Sequence, residues 1–223
     1  MFHYQPTDDD NQGDLTSMFQ PILYRGREMK MRDLSYQVAV PDAAPNWISG
    51  SGQAWNWITR GTDFNQRIGR MITIKRIICT GSLIIDYGAG ASPQPFWHVT
   101  LGLVLNTETN STQPAMGAVI NGSTLPLPNP ANFVQYRHLW VRRFKIESAD
   151  LVQEASSGTF VGRDDVKPFH FDLHVNIPVL YNTGTDSSIA SIVDNSIGLW
   201  GVSQGPVAHT ALTLQYRIQY VDE

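Results

Sequence analysis

The chain has 223 residues, a formal charge of −4 and 16 per cent charged residues, against about 25 per cent in an ordinary soluble domain. That length allows one sizeable core, and a single cysteine, Cys79, excludes an internal disulfide framework and any multi-cysteine metal site. No apolar run reaches the length of a membrane span and Met1 opens nothing that reads as a signal peptide, so a soluble chain is expected.

Residues 1–24 lack periodicity and read as an arm outside the core. Leu34, Tyr36, Val38 and Val40 alternate with Ser35, Gln37 and Ala39, a half-buried strand stopped by Pro41. Residues 42–60 read as loop, with a helical turn near Ala54 to Ile58. The run 70–87 is β throughout, bent or bulged near Gly81 where its parity changes, and Cys79 within it reads as a small buried core residue. Trp97, Val99, Leu101, Leu103 and Leu105 alternate as the next strand. A long connection, 106–132, follows, crowded with Thr, Asn, Gly and Pro; connections of that length tend to be exposed or functional. The run 135–146 is a strand with a phase break at Arg142-Arg143, and 147–167 is loop-like. Phe169, Phe171, Leu173, Val175 and Ile177 alternate cleanly against His170, Asp172, His174 and Asn176; Tyr181 closes a short strand. Residues 197–202 form another. Leu212, Leu214, Tyr216, Ile218 and Tyr220 finish the chain, facing away from His209, Thr213, Gln215 and Arg217.

About eight strands with long connections and hardly any helix predict an all-β fold. Each strand can offer one face to a common core, which calls for two packed sheets, an eight-stranded jelly-roll sandwich. The expected division is an amino-terminal arm over 1–30 and a jelly-roll shell domain over 31–223. Two glycosylation sequons, at Asn110 and Asn121, would matter only in a secreted protein.

Charge is distributed unevenly. The first 24 residues carry four Asp and no Lys or Arg. Three stretches hold thirteen of the sixteen basic residues: Arg25 to Arg32, Arg60 to Arg76, and Arg137 to Lys145. Such clusters serve either as solvated strand edges or as a shared basic surface. A surface poor in charge and rich in uncharged polar and aromatic groups also suits burial against partners. Trp47, Trp55, Trp57 and the 106–132 connection are the candidates for contacts between subunits.

One stretch organises the rest. Gly61-Thr-Asp-Phe-Asn-Gln-Arg-Ile-Gly69-Arg70 joins the aromatic segment Trp55-Asn-Trp57-Ile58 to the longest β run. Its glycines bracket a bend, Thr62 and Asp63 are turn formers, and Arg67 and Arg70 put positive charge at the root of a strand. This elbow, followed by a β run, resembles the capsid proteins of small circular Rep-encoding single-stranded DNA viruses, which in turn resemble the satellite tobacco necrosis virus capsid fold. The specific likeness is confined to Gly61 to Arg70, and strand order and spacing extend it over about 30–222. The resemblance implies a jelly roll, a non-catalytic structural role, self-assembly into a small icosahedral shell, and packaging of single-stranded DNA without sequence preference. It also implies a place in the virion, with assembly in the host nucleus, and no cofactor, metal or membrane. Carried onto this sequence, the resemblance makes Arg25, Arg27, Lys30, Arg32, Arg67 and Arg70 the candidates for lining the shell's interior against DNA; their other reading is salt bridges between subunits. The sequence departs from the arginine-rich amino-terminal arm usual in that family: residues 1–24 are acidic, and the longest arginine run is the pair Arg142-Arg143.

Two other readings stand beside it. His170-x-Asp172 with a distal His209 and Arg217 resembles the facial triad of jelly-roll non-haem iron oxygenases, and His170 with His174 makes a cupin-like pair on one strand face. A monomeric carbohydrate-binding β-sandwich would use exposed Trp and Tyr. Gly88-Ala-Gly-Ala-Ser92 opens no helix and reads as a hairpin loop.

Overall fold

The computed structural model describes residues 23–24, 27–42, 44–48, 54–86, 96–122, 126–147, 152–153, 160–161, 165–183, 188–204 and 209–223. Eight strands build its frame: β1 Arg27–Ala39, β2 Asn46–Trp47, β3 Met71–Asp86, β4 Phe96–Asn106, β5 Tyr136–Glu147, β6 Asp165–Tyr181, β7 Ser196–Ser203 and β8 His209–Asp222. They pair antiparallel as β1 with β8, β2 with β7, β3 with β6 and β4 with β5. That nesting is a long two-stranded ribbon rolled up, and it yields the sheets β1-β8-β3-β6 and β2-β7-β4-β5. The fold is an all-β jelly-roll sandwich, as the alternation predicts. Short strands extend the first sheet at both edges, Leu23–Tyr24 beside β1 and Ile192–Asp194 beside β6.

The core lies between the two inner faces, where period-two alternation aims the apolar rows. Ile77, Cys79 and Leu83 of β3, Val99, Leu101 and Leu103 of β4, and Leu212, Leu214 and Tyr216 of β8 are all buried there. Trp55 stacks on Tyr216 with centroids 4.2 Å apart. Several expected details move. In β3 the inward row switches from Ile72 and Ile74 to Ile77 and Cys79, so the parity break falls at Lys75–Arg76, six residues before Gly81. Gly81 instead leaves room for Phe169, whose ring would lie 2.6 Å from an added Cβ. The phase break of β5 falls at Leu139, where the register with β4 skips a residue, and not at Arg142-Arg143. Tyr181 ends β6 itself, and Ala54 to Ile58 is a turn and extended chain with no helix.

The long connection between β4 and β5 is a folded cap. Its short helix α1, Met116–Val119, and the paired Ile120–Asn121 and Leu127–Pro128 lie over the outer face of the second sheet. Asn129 and Asn132 donate to the Gly117 and Ala118 carbonyls at 3.1 and 3.0 Å, tying the cap's two halves together. Val119 and Ile120 bury Val104, Tyr136, Trp200 and Val202 beneath them in a second apolar cluster. Every residue of β7 is therefore buried, because both of its faces are covered.

Candidate functional site

The elbow packs against the end of the first sheet, where Arg27 of β1, the chain's last two residues and the start of β3 meet. Its turn closes through Gly61 N donating to the Arg67 carbonyl at 2.9 Å, Arg67 N to the Thr59 carbonyl at 3.0 Å, and Gln66 N to the Asp63 carbonyl at 3.0 Å. Three cations grip the backbone of the elbow and of the segment just before it. Arg67 is 0 % exposed; its Nε donates to the Ile58 carbonyl at 3.0 Å and a terminal nitrogen to the Gly69 carbonyl at 2.7 Å. Its guanidinium lies 4.1 Å over the Tyr181 ring. Lys30 donates to the Gln66 carbonyl at 2.9 Å and pairs with Asp222 at 3.0 Å, while Asp222 accepts from Ile68 N at 3.2 Å. Arg32 lies 3.3 Å over the Trp57 ring and donates to the Trp57 carbonyl.

The electrostatics match that burial. Desolvation pulls the Arg67 and Arg32 guanidinium groups below their ordinary values, against the opposing influence of nearby tyrosines. Burial likewise pushes the Tyr181 and Tyr220 phenols up. Buried cations of this kind stay charged because carbonyls and ring faces replace water. The cluster is a clasp that fixes the elbow to the sheet.

The expected interior residues thus divide. Lys30, Arg32 and Arg67 are buried and hydrogen-bonded inside the subunit. Arg27 and Arg70 remain exposed, Arg27 pairing with Glu223 at 3.0 Å and Arg70 donating to the Tyr181 carbonyl at 3.3 Å. Arg25 lies outside the described residues. Of the expected interface tryptophans, Trp55 is 1 % exposed and belongs to the core. Trp57 is half-buried under Arg32, and Trp47 is half-buried with its indole donating to the Pro114 carbonyl at 2.9 Å. Trp140 is half-buried as well and Trp200 is buried.

The histidine constellation does not converge. Asp172 is taken by a two-point ion pair with Arg76, at 2.8 and 2.5 Å, which holds its carboxyl below the usual range. Arg217 is paired in the same manner with Asp33, at 2.6 Å. His170 Nδ1 sits 3.0 Å from the Thr80 hydroxyl, and Thr80 is also the register partner of Gln215. His209 is six residues from Gln215 along β8, roughly 20 Å away at strand rise. Among the described residues no three His, Cys, Asp or Glu side chains gather as a metal cage.

The elbow's apolar exposure has no signal in the sequence, whereas the connection that forms the cap and the basic stretch of β5 were among the candidates. The elbow turns Phe64, Ile68 and Met71 outward, 45, 56 and 42 % exposed, and the cap exposes Leu127, Phe133 and Val134. The β5 strand carries exposed Arg137, Arg142, Arg143 and Lys145. Burial, and then the charges of Arg143 and Lys145, hold the His98 imidazole below its ordinary pKa.

No family model matches the chain, and no curated protein matches it. Matches among solved structures include the infectious bursal disease virus Gx strain, at 13% identity over 85% of this chain and 36% of that one, with a TM-score of 0.26. They also include the VP2 subviral particle of infectious bursal disease virus, at 11% identity over 85% of this chain and 38% of that one, TM-score 0.24. T=1 particles derived from infectious bursal virus match at 12% identity over 85% and 36%, TM-score 0.20. The chain spans little more than a third of the length of these chains. The likeness is distant.

Proposed function

We propose that the chain is a capsid subunit whose copies close into a small icosahedral shell around single-stranded DNA. The observation that carries this reading is the junction of the Gly61 to Arg70 elbow with a jelly roll of the nested order described above. The elbow's resemblance to the capsid proteins of small circular single-stranded DNA viruses was read from sequence alone, and the fold it implies is the fold found. The exposed Leu127, Phe133 and Val134 of the cap support a contact between subunits, since grouped apolar exposure of this kind marks interaction sites. Joined to a different surface of the next copy, such a patch generates rings and shells.

Nucleic-acid contact falls to cations that the fold leaves at the surface. These are Arg27 and Arg70 of the expected set, together with Arg137, Arg142, Arg143 and Lys145 of β5. Contacts to phosphate alone carry no sequence preference and weaken steeply with salt. The chain expressed in cells is expected to yield particles whose DNA resists nuclease. Arg142→Glu with Arg143→Glu should keep the particles and reduce the protected DNA severalfold. Particles carrying no protected nucleic acid would remove the packaging role, and a chain that never leaves the monomer would remove the shell itself.

A further inference from the structure

The acidic arm has no place in the relatives' scheme, and the elbow has an apolar outer side that nothing described covers. We propose that the arm, residues 1–22, docks on the outer side of the elbow of its own chain. Position is the first reason. The arm leads through Leu23–Tyr24, which pairs with Arg27 and Glu28. Arg27 holds the Glu223 carboxylate at 3.0 Å, and Glu223 N donates to the Met71 carbonyl at 3.1 Å. The arm therefore joins the fold at the outer edge of β1, at the end of the sheet where the elbow packs and where Met71 begins β3.

Chemistry is the second reason. The elbow offers Phe64, Ile68 and Met71 within eight positions, with exposed Arg60 and Arg70 in the same segment. Arg60 and Arg70 outnumber Asp63, the one acid of the same segment, so its exposed charge is net positive. The arm supplies the complement. Asp8, Asp9, Asp10 and Asp14 carry its charge without a single Lys or Arg, and Leu15, Met18, Phe19 and Ile22 follow them. Rigidity is the third. Lys30 and Arg67 hold the elbow's Gln66 and Gly69 carbonyls, and Arg32 and Arg67 hold those of Trp57 and Ile58 just before it, so a partner gains contacts without first ordering the surface it lands on. Phe19 lies eight residues before Arg27, a reach of about 28 Å for extended chain. Tethering at that range favours the chain's own arm over a neighbour's by effective concentration.

A cysteine pair tests this in the full-length chain. Gln20→Cys with Asn65→Cys places one thiol in the arm and one on the exposed elbow, leaving every apolar residue of the contact in place. The native Cys79 thiol, pushed up to about 12 by burial, stays out of the exchange. The expected result is a disulfide within one chain that forms about tenfold more slowly when Phe64→Ser and Ile68→Ser are added. Changing the four arm aspartates to Asn should slow it severalfold. A rate indifferent to those changes would overturn the proposal, as would disulfides found only between chains, which would give the elbow to a second copy. Chymotryptic cleavage after Phe19 is an independent measure: slow in the native chain and fast in Ile68→Ser if the arm is docked, equally fast in both if it is not.

Discussion

Arg67 does inside one subunit what an arginine on the elbow was expected to do against phosphate. Its fork is satisfied by the Ile58 and Gly69 carbonyls, and its flat face by Tyr181. Lys would keep the charge but lose the planar fork and the stacking. Arg67→Ala is expected to cost about 3 kcal/mol, from a cavity plus carbonyls left without donors, read as a lower urea midpoint at unchanged slope. An unchanged midpoint would show that the clasp does not hold the fold. The tyrosines give a pH signature. Burial raises the phenols of Tyr36, Tyr181, Tyr216 and Tyr220 above their ordinary value near 10. A raised phenol favours the fold in its neutral form, so this contribution is fully present below about pH 10 and is lost as pH rises further. Stability measured by denaturant should be flat through the neutral range, as far as these groups decide it, and fall above about pH 10.

At the scale of elements, the cap over β7 carries its own prediction. His138 lies under it, edge-on to the Trp200 ring at 6.2 Å and beside the Val119 carbonyl, with burial holding the imidazole below its ordinary pKa. A depressed imidazole favours the fold in its neutral form, so the contribution is present above about pH 6.5 and is lost as pH falls below it. Proteolysis within 107–135 is expected to quicken between about pH 6.5 and 5, and His138→Phe should abolish that step; a step unchanged in the variant would clear His138. Trp200 also limits its neighbour, since a Cβ on Gly102 would meet the indole at 2.4 Å. Gly102→Ala should cost about 1–3 kcal/mol through overpacking.

The alternating rows of β4, β6 and β8 were legible because parity alone decides which face of a half-buried strand is apolar. The same rule, carried back from Leu34 through Arg32 to Lys30, puts both cations on the inner face. That parity is opposed by the general rule that Lys and Arg stay at the surface unless paired. The fate of Arg67 was not legible, because the carbonyls it serves come from a bend whose path depends on the sheet beneath. The cap was read as open loop for a related reason: its apolar residues have no period of their own, and the outer face of β7 that orders them is itself invisible until the sheet is closed.

At the scale of the whole molecule, the two sheets make a compact block with its charges spent locally. Arg76 and Asp172, Arg217 and Asp33, Arg27 and Glu223 neutralise one another on its surface. The cap exposes apolar side chains and β5 exposes four cations, a combination that fits the proposed contacts with copies and with a polyanion. The most direct test of that account is the mass of the purified chain in solution at micromolar concentration. The account predicts a narrow population on the order of a megadalton, far above the 24.9 kDa of one chain. A single species of one chain's mass at every concentration and salt would contradict it.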